Sequence, residues 1–419
     1  MSKKDRCKRL VSFLAAVALV FASAQPAALA TAEEPEEDLP TAAISDANPH
    51  ETIAASVQDN PRFQKPQMDI PCRNAMLISI DTGDILYEKD PDVEVPMASI
   101  TKVMTLLLTL EAVEAGKITL ADIVPISEHA YNMGGSQIWL EPGERFTLDE
   151  LIKAICVCSA NDAAVAVAEY VGGSEPVFAE QMNARAAELG MTHTHFVNAC
   201  GLDAAGHYSS ARDVAIMSLA LLRHPKILEY SGIWMDTLRG GATQMTNTNK
   251  LLKSYPGITG LKTGTTNGAG VCISASAVRD GMGLLAVVLG SPSSKERFTA
   301  AKAMLDYGFA SFEAADFPAI AGRADILPVR GGVSSEAALE YPSAPKLLLK
   351  KGEGKALTAQ AELPESLDAP VSARTQVGTI TLRAGEEVLG EYPITVREDV
   401  AEMDWGTALS LLTKALLTL

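Results

Sequence analysis

The stretch M-A-S-I-T-K-V-M-T, residues 97–105, decides the interpretation of this 419-residue chain. Its centre, Ser99-Ile100-Thr101-Lys102, places two hydroxyls and one amine within a single helical turn, at the front of an apolar run that continues through Leu110. Lys102 is the only charged residue between Glu94 and Glu111. Burial in such a helix, and a second cation nearby, would both lower the pKa of its amine.

Ser99 is the favoured nucleophile of the two hydroxyls. A spacing of three puts Lys102 over Ser99 on one helix face, whereas the adjacent Thr101 points in a different direction. A neutral amine over a hydroxyl activates a serine for attack. A serine that begins a buried helix is more often only an N-cap, and this stretch alone leaves that alternative open. A second S-x-x-K, residues 343–346, lies among Ala, Pro and Ser and is expected in an exposed loop.

Two further triplets can complete a site around Ser99. Ser159-Ala160-Asn161 falls between helical blocks at 148–158 and 163–171, where a tight loop would direct both polar side chains into one cleft. Lys262-Thr263-Gly264 lies on a predicted strand, where the lysine supplies a second cation and the glycine permits close approach to the backbone. Each of these short motifs is unremarkable alone. It is the occurrence of S-x-x-K, S-x-N and K-T-G together, in this order, that indicates a functional site.

The surrounding sequence predicts an α+β fold. Two strands joined by a turn at 81–84 precede the helix, and strands at 271–279 and 282–290, joined by Asp280-Gly281, follow the helical region. We therefore predict a mixed domain over 68–312. Residues 316–400 have short alternating strands with many Gly and Pro, which predicts a small β domain.

Both ends of the chain carry signals of their own. A basic start, an apolar stretch over 10–21 and Ala28-Leu29-Ala30 predict a signal peptide over 1–30. The acidic, proline-containing sequence that follows predicts a disordered linker over 31–67. At the other end, residues 401–419 predict an amphipathic helix too short to cross a bilayer, since large apolar residues recur at Trp405, Leu409, Leu412, Leu416 and Leu419.

Composition excludes several classes of function. The net charge is −17, and about −21 without residues 1–30, so a nucleic-acid partner is not expected. Five cysteines remain after residue 30, and an odd number leaves at least one thiol free. Cys156-Val-Cys158 lacks further ligands at metal-binding spacings and is expected to be buried packing, so we predict no metal and no cofactor.

With the motif order S-x-x-K, S-x-N and K-T-G, the sequence resembles the low-molecular-mass penicillin-binding D-alanyl-D-alanine carboxypeptidases. The resemblance runs from about Ala75 to Arg297 and extends loosely through the β segment and the last helix. It implies a β-lactamase/transpeptidase-like catalytic domain, in which an antiparallel sheet with helices adjoins an all-helical lobe, followed by a small all-β domain. Two cysteines depart from the family pattern, Cys200 ahead of Gly-Leu-Asp and Cys158 directly before Ser159.

The resemblance also implies a function and site roles. The chain would be a serine peptidase that removes the terminal D-alanine from peptidoglycan stem peptides ending in D-Ala-D-Ala, and β-lactam antibiotics would acylate it. Ser99 would be the nucleophile, Lys102 the general base and Ser159 a proton relay. The substrate would be bound by Asn161, Lys262, Thr263, Gly264, Thr265 and Arg297. The backbone N–H groups of Ser99 and Thr265 would form the oxyanion hole.

The predicted signal peptide indicates an exported protein that acts outside the cytoplasm. It would be secreted or, as the resemblance implies, lie on the outer face of the cytoplasmic membrane. Trp405–Leu419 is the candidate for peripheral membrane contact. Lys414 is its only cation, so attraction to anionic lipid should be weak, and packing on the β domain or on a partner is the alternative.

Three alternative functions are considered for the same sequence. A D,D-endopeptidase would cut cross-linked peptides by the same chemistry. A class A β-lactamase needs a Glu-x-x-x-Asn segment between the second and third motifs, and the four glutamates from 169 to 188 all lack an Asn four residues on. A non-enzymatic cell-wall scaffold would have no need for intact Ser99, Lys102 and Lys262.

Overall fold

A computed structural model describes residues 53–343 and 346–417 of the chain. The predicted signal peptide over 1–30 lies outside these residues. The helices are α1 (Ile53–Ser56), α2 (Lys102–Glu114), α3 (Glu128–Tyr131), α4 (Leu148–Val157), α5 (Asn161–Gly172), α6 (Glu175–Leu189), α7 (Ala211–Leu222), α8 (Lys226–Ser231), α9 (Ser294–Ser311) and α10 (Trp405–Leu417). A 3₁₀ turn, Ala98–Thr101, leads directly into α2.

The strands of the first domain are β1 (Asn74–Ser79), β2 (Ile85–Lys89), β3 (Ile123–Val124), β4 (Phe146–Thr147), β5 (Met235–Leu238), β6 (Thr243–Thr246), β7 (Lys262–Thr266), β8 (Gly270–Arg279) and β9 (Met282–Ser291). Five of them form one antiparallel sheet in the order β2-β1-β9-β8-β7, so β7 is an edge strand. The pairs β3–β4 and β5–β6 are small separate ribbons.

The five-stranded sheet is covered on both faces. Strand β1 is buried along its whole length, and its side chains alternate between two cores, as successive residues of a strand must. Met76 and Ile78 join the core shared with the helical lobe and α7. Leu77 joins the opposite core, under α9, with Met304. This three-layer packing explains why β1, β8 and β9 are almost continuously buried.

Helix α2 lies inside the helical lobe. It is apolar on nearly every side, and nine of its thirteen residues are buried, which matches the burial expected from the apolar run in its sequence. Helix α4 begins with a capping box, in which Thr147 and Glu150 satisfy each other's backbone N–H groups. Helix α5 ends at Gly173, whose left-handed φ of 83° closes the helix. The break between α4 and α5 therefore falls at residues 158–160, as the sequence predicts.

The remaining strands are β10 (Phe312–Ala315), β11 (Ile320–Ala321), β12 (Ile326–Arg330), β13 (Glu336–Glu340), β14 (Leu347–Lys350), β15 (Leu357–Glu362), β16 (Leu367–Asp368), β17 (Gln376–Ala384) and β18 (Glu387–Val396). Seven of them form a sheet in the order β11-β15-β17-β18-β13-β12-β16 with its own apolar core. The ribbon β10–β14 continues directly from α9 and leads into this sheet. The predicted α+β architecture with a trailing β domain is confirmed.

The prediction of disorder over 31–67 is wrong for residues 53–67. Ile53 begins a short helix, and Val57 and Phe63 are buried. Arg62 donates hydrogen bonds to Glu353 at 2.9 Å and Glu387 at 3.0 Å, which ties this segment to the β domain. The acidic cluster that suggested disorder lies earlier, at 33–38, while these apolar side chains find partner surfaces far along the chain. Residues 31–52 lie outside the described part.

The predicted C-terminal helix is present as α10. Trp405, Leu409 and Leu412 are 94%, 67% and 62% exposed, so they do not pack on the β domain. Among the described residues, none of the helices combines the length and apolar character that crossing a bilayer requires.

Candidate active site

Ser99 lies in the 3₁₀ turn that precedes α2. Neither this turn nor α2 receives a side-chain cap, so the N-cap alternative for Ser99 is excluded. Ala98, the residue before it, has a left-handed backbone with φ of 50°, which is uncommon for a residue with a side chain. Ser99 itself is partly exposed. The turn therefore presents the serine hydroxyl at a surface while its neighbours are buried.

The Lys102 amine is fully buried and lies 3.0 Å from Ser99 Oγ. It also donates to Asn161 Oδ1 and to the carbonyl oxygen of Cys200, each at 2.6 Å. Burial lowers the pKa of Lys102 to about 8. A neutral amine has two hydrogens, and these two acceptors take both of them. The nitrogen lone pair is then directed at the Ser99 hydroxyl, which suits a general base.

Ser159 and Asn161 come from the break between α4 and α5. Ser159 has a left-handed φ of 61°, and Asn161 is the first residue of α5. The Asn161 Nδ2 group donates to Gly134 O at 2.6 Å, and its backbone N–H donates to Ser136 O at 2.7 Å. Both side chains are at least nine-tenths buried. The tight loop thus directs them to the same place, as the sequence analysis expects.

Lys262 brings the edge strand β7 to this loop. Its amine is buried and donates to Ser159 Oγ and to Thr263 O, each at 2.8 Å. Burial lowers the pKa of Lys262 well below its ordinary value, and the positive charge of Lys102 lowers it further. A proton on Lys102 therefore disfavours a proton on Lys262.

The rest of β7 fits closely against the 3₁₀ turn. A Cβ atom at Gly264 would lie 2.9 Å from the Ser99 backbone nitrogen and 3.0 Å from Ala98 Cβ, so a glycine is required there. The Thr263 hydroxyl bonds to the Thr248 hydroxyl at 2.6 Å. Thr265 is exposed beside it, and its hydroxyl donates to Gly264 O at 2.7 Å.

Arg297, on α9, lies within the wall of the site. Its guanidinium donates to Gly264 O at 3.2 Å and to Cys272 O at 3.1 Å. Burial lowers the pKa of Arg297 to about 10. The side chain is 5% exposed, so it braces β7 against β8 in addition to adding positive charge to the site.

The structure thus brings all nine sequence-predicted residues to one region. The second S-x-x-K does not join them, since Ser343 is exposed in the loop between β13 and β14, as predicted. Three further contributors are absent from the sequence prediction, namely the Cys200 carbonyl, the Thr248 hydroxyl and the Asp203 carboxylate that accepts from Thr266 and Gly268. A carbonyl oxygen has no signal in a sequence, because every residue carries one.

The cysteines near the site are thiols. All five cysteines of the described residues are free, and Cys156 and Cys200 are buried. Cys158, beside Ser159, is partly exposed, and burial raises its pKa to about 11, which disfavours the reactive thiolate. The described residues hold no group of three His, Cys, Asp or Glu side chains arranged for a metal ion.

Comparison with known proteins identifies the family. Residues 60–293 match the D-alanyl-D-alanine carboxypeptidase family, and residues 324–402 match the penicillin-binding protein 5 C-terminal domain. The chain is 40% identical over 343 residues to the D-alanyl-D-alanine carboxypeptidase DacF of Bacillus subtilis, covering 80% of this chain and 88% of that one.

Solved structures agree with this assignment. Penicillin-binding protein 5 from Haemophilus influenzae superimposes with a TM-score of 0.71 at 30% identity, covering 81% of this chain and 100% of that one. Penicillin-binding protein D2 from Listeria monocytogenes, in its cefotaxime-bound form, superimposes with a TM-score of 0.54 at 31% identity, covering 58% of this chain and 100% of that one. The chain therefore belongs to the D-alanyl-D-alanine carboxypeptidase family of serine peptidases.

Proposed function

We propose that this chain removes the terminal D-alanine from peptidoglycan pentapeptide stems through an acyl-enzyme on Ser99. The observation that carries the proposal is the buried Lys102 amine, which lies 3.0 Å from Ser99 Oγ and 2.6 Å from the acceptor oxygens of Asn161 and Cys200. A lysine placed in this way serves as a base at neutral pH without a histidine partner.

In the acylation step, Lys102 takes the proton of Ser99 as Oγ attacks the carbonyl carbon between the two D-alanines. The backbone N–H groups of Ser99 and Thr265 stabilise the oxyanion that forms. The C–N bond then breaks, and the proton that Lys102 took from Ser99 passes through Ser159 to the departing D-alanine nitrogen, which returns Lys102 to its neutral form. Lys262 holds Ser159 Oγ at 2.8 Å during this transfer. The products of this step are free D-alanine and an ester on Ser99.

In the deacylation step, water attacks the ester and Lys102 removes its proton. The stem peptide leaves with a new carboxylate, and Ser99 regains its hydrogen. A β-lactam enters by the same first step, because opening its ring amide also leaves an ester on Ser99. The cefotaxime- and ampicillin-bound forms of the Listeria relative support acylation of this kind.

Substrate binding uses the edge position of β7. An extended peptide can lie beside an edge strand and pair with its free backbone groups. The peptide carboxylate would meet Lys262, Thr263 and Thr265, with Arg297 adding charge from behind the strand. The second hydrogen of Asn161 Nδ2, beyond the one given to Gly134, would bind a substrate carbonyl.

The test is release of D-alanine from a peptide ending in D-Ala-D-Ala, comparing the intact protein with Ser99→Ala. Release should cease in Ser99→Ala and persist in Ser343→Ala, the matched control from the exposed S-x-x-K. Equal release by the intact protein and Ser99→Ala would contradict the mechanism. A cross-linked substrate measures endopeptidase activity, and labelled penicillin should give a long-lived adduct where a β-lactamase would turn it over.

We also propose that the protein acts outside the cytoplasm, with α10 in contact with the membrane surface. The predicted signal peptide and the exposed apolar side chains of α10 support this location. Vesicles made of bacterial lipids should bind the intact protein and not a chain that ends at Glu402. Equal flotation of the two proteins with vesicles would contradict contact through α10.

A further inference from the structure

A buried histidine lies behind the turn that carries Ser99. His207 is 5% exposed, and its Nδ1 accepts a hydrogen bond from the Val197 backbone N–H at 3.0 Å. Because Nδ1 accepts, the proton of the neutral ring is on Nε2. That nitrogen lies 2.7 Å from the Thr101 hydroxyl oxygen. His207 is therefore the donor in this contact.

The chain of hydrogen bonds continues from Thr101 to the residue before the nucleophile. Thr101 Oγ1 accepts from His207 and donates its own hydrogen to Ala98 O at 2.9 Å. Ala98 has the left-handed φ of 50°, a conformation that costs free energy in a residue with a side chain. The carbonyl of Ala98 thus has a defined partner at a position where the backbone is strained.

A second contact fixes the same carbonyl from another side. Gly201 approaches so closely that a Cβ atom there would lie 2.0 Å from Ala98 O and 2.8 Å from Thr101 Oγ1. The neighbouring Cys200 carbonyl is the acceptor for Lys102. The segment that holds the turn in place therefore also orients the general base.

We propose that His207, acting through Thr101, is a positioning residue that holds the Ala98–Ser99 backbone in the conformation in which Ser99 Oγ meets Lys102. The inference rests on the proposed role of Ser99 as nucleophile. Burial lowers the pKa of His207 to about 4, so the ring stays neutral and the hydrogen bonds persist throughout the neutral range. His207 itself does not contact the substrate.

The test measures acylation by a fluorescent penicillin at several concentrations, which separates the rate constant k2 from the Kd of the non-covalent complex. Thr101→Val and His207→Phe keep the side-chain volumes and remove the hydrogen bonds. Each should lower k2 by about 10- to 100-fold and leave Kd unchanged, as expected when a reacting group is misplaced. Thr101→Ser should retain most of k2, because it keeps the hydroxyl. His207→Gln should also retain most of k2, because its side-chain amide offers an N–H donor at a similar distance from the backbone.

Two comparisons separate positioning from loss of stability. Thr109→Val removes a buried hydroxyl from α2, the helix that follows the turn; this hydroxyl donates to Thr105 O, and its loss should leave k2 unchanged. The double variant Thr101→Val/His207→Phe should be no slower than the slower single variant, because both break one hydrogen-bonded chain. If His207→Phe fails to fold, the Thr101→Val and Thr101→Ser pair decides the question alone.

Several results would overturn the proposal. They are an unchanged k2 in Thr101→Val, losses that multiply in the double variant, or a k2 in His207→Gln as low as in His207→Phe. Failure of the proposed function would show differently, since Ser99→Ala would then still form the covalent adduct.

Discussion

The Lys102 amine and the Asn161 amide oxygen are 2.6 Å apart, which joins the first motif of the site to the second. An amide oxygen is neutral, so it accepts a hydrogen bond without adding a charge that would hold a proton on the amine. The Cys200 carbonyl has the same property. Both partners orient Lys102 while leaving its pKa low, and this combination has measurable consequences.

The first consequence concerns pH. The pKa of Lys102 is lowered to about 8, and the neutral amine is the form that accepts the Ser99 proton. The rate of acylation by labelled penicillin should therefore rise with pH and level off above an apparent pKa near 8. Well below that pKa, the rate should fall about tenfold per pH unit. A rate that stays constant between pH 6 and 8.5, with the fold intact by circular dichroism, would contradict this assignment.

Asn161→Asp should move the apparent pKa of the acylation rate to higher pH. A carboxylate beside the amine favours its charged form and raises the pKa of Lys102, so acylation at pH 7 should fall at least about tenfold. The acylation rate should recover as the pH is raised above this new apparent pKa. Asn161→Ala provides the comparison, because it removes the acceptor without adding charge and should not show the alkaline recovery. Equal pH profiles for the two variants would reject the charge argument.

Gly264→Ala should slow acylation without unfolding the protein. The added methyl would lie 2.9 Å from the Ser99 nitrogen, so β7 and the 3₁₀ turn must separate. A shift of about 1 Å at a reacting group can cost on the order of 100-fold in rate. Gly390→Ala is the control, because a Cβ in that β18 strand meets only ordinary contacts, the nearest at 3.5 Å. Wild-type acylation by Gly264→Ala would show that the close approach is unimportant.

Arg62→Ala should weaken the attachment of the β domain. Its side chain is 15% exposed and its guanidinium bonds to Glu353 and Glu387, so its loss should lower the free energy of unfolding by about 1 kcal/mol. Arg330, which pairs with Asp368 at 69% exposure, offers a matched surface ion pair whose removal should change little. Denaturant titration of both variants measures the difference. Equal effects would mean that the Arg62 contacts are worth no more than a surface pair.

The parts of the site that depend on local spacing could be predicted from the sequence. The separation of three predicts that Lys102 lies near Ser99, and the helix break at Ser159 follows from two helical blocks that cannot join. The strand that contains Lys262 can also be predicted from nearby sequence, because a hairpin follows it. These features needed no knowledge of distant contacts.

The features that sequence reasoning missed are imposed from a distance. Ala98 and Ser159 have left-handed backbones without being glycine, since tertiary contacts select that conformation against local preference. The sequence indicates only that Thr101 is the poorer nucleophile, yet its hydroxyl forms hydrogen bonds with Ala98 O and His207 Nε2. Residues 53–67 are ordered because their apolar side chains meet surfaces formed much later in the chain.

The order of the central sheet has a consequence for how the molecule is made. Strand β1 pairs with β9, so Asn74 meets Leu289 about half the chain away, and β7 joins the same sheet from the far end. Contacts between residues so far apart in sequence form late in folding. The chain must first lose the conformational entropy of the long loop between them, and only then do the contacts stabilise the fold. Until then, the lysines of the first and third motifs remain hydrated, and both lose their water in the step that closes the sheet. Newly made chains should therefore acquire penicillin reactivity abruptly, as a late event in folding.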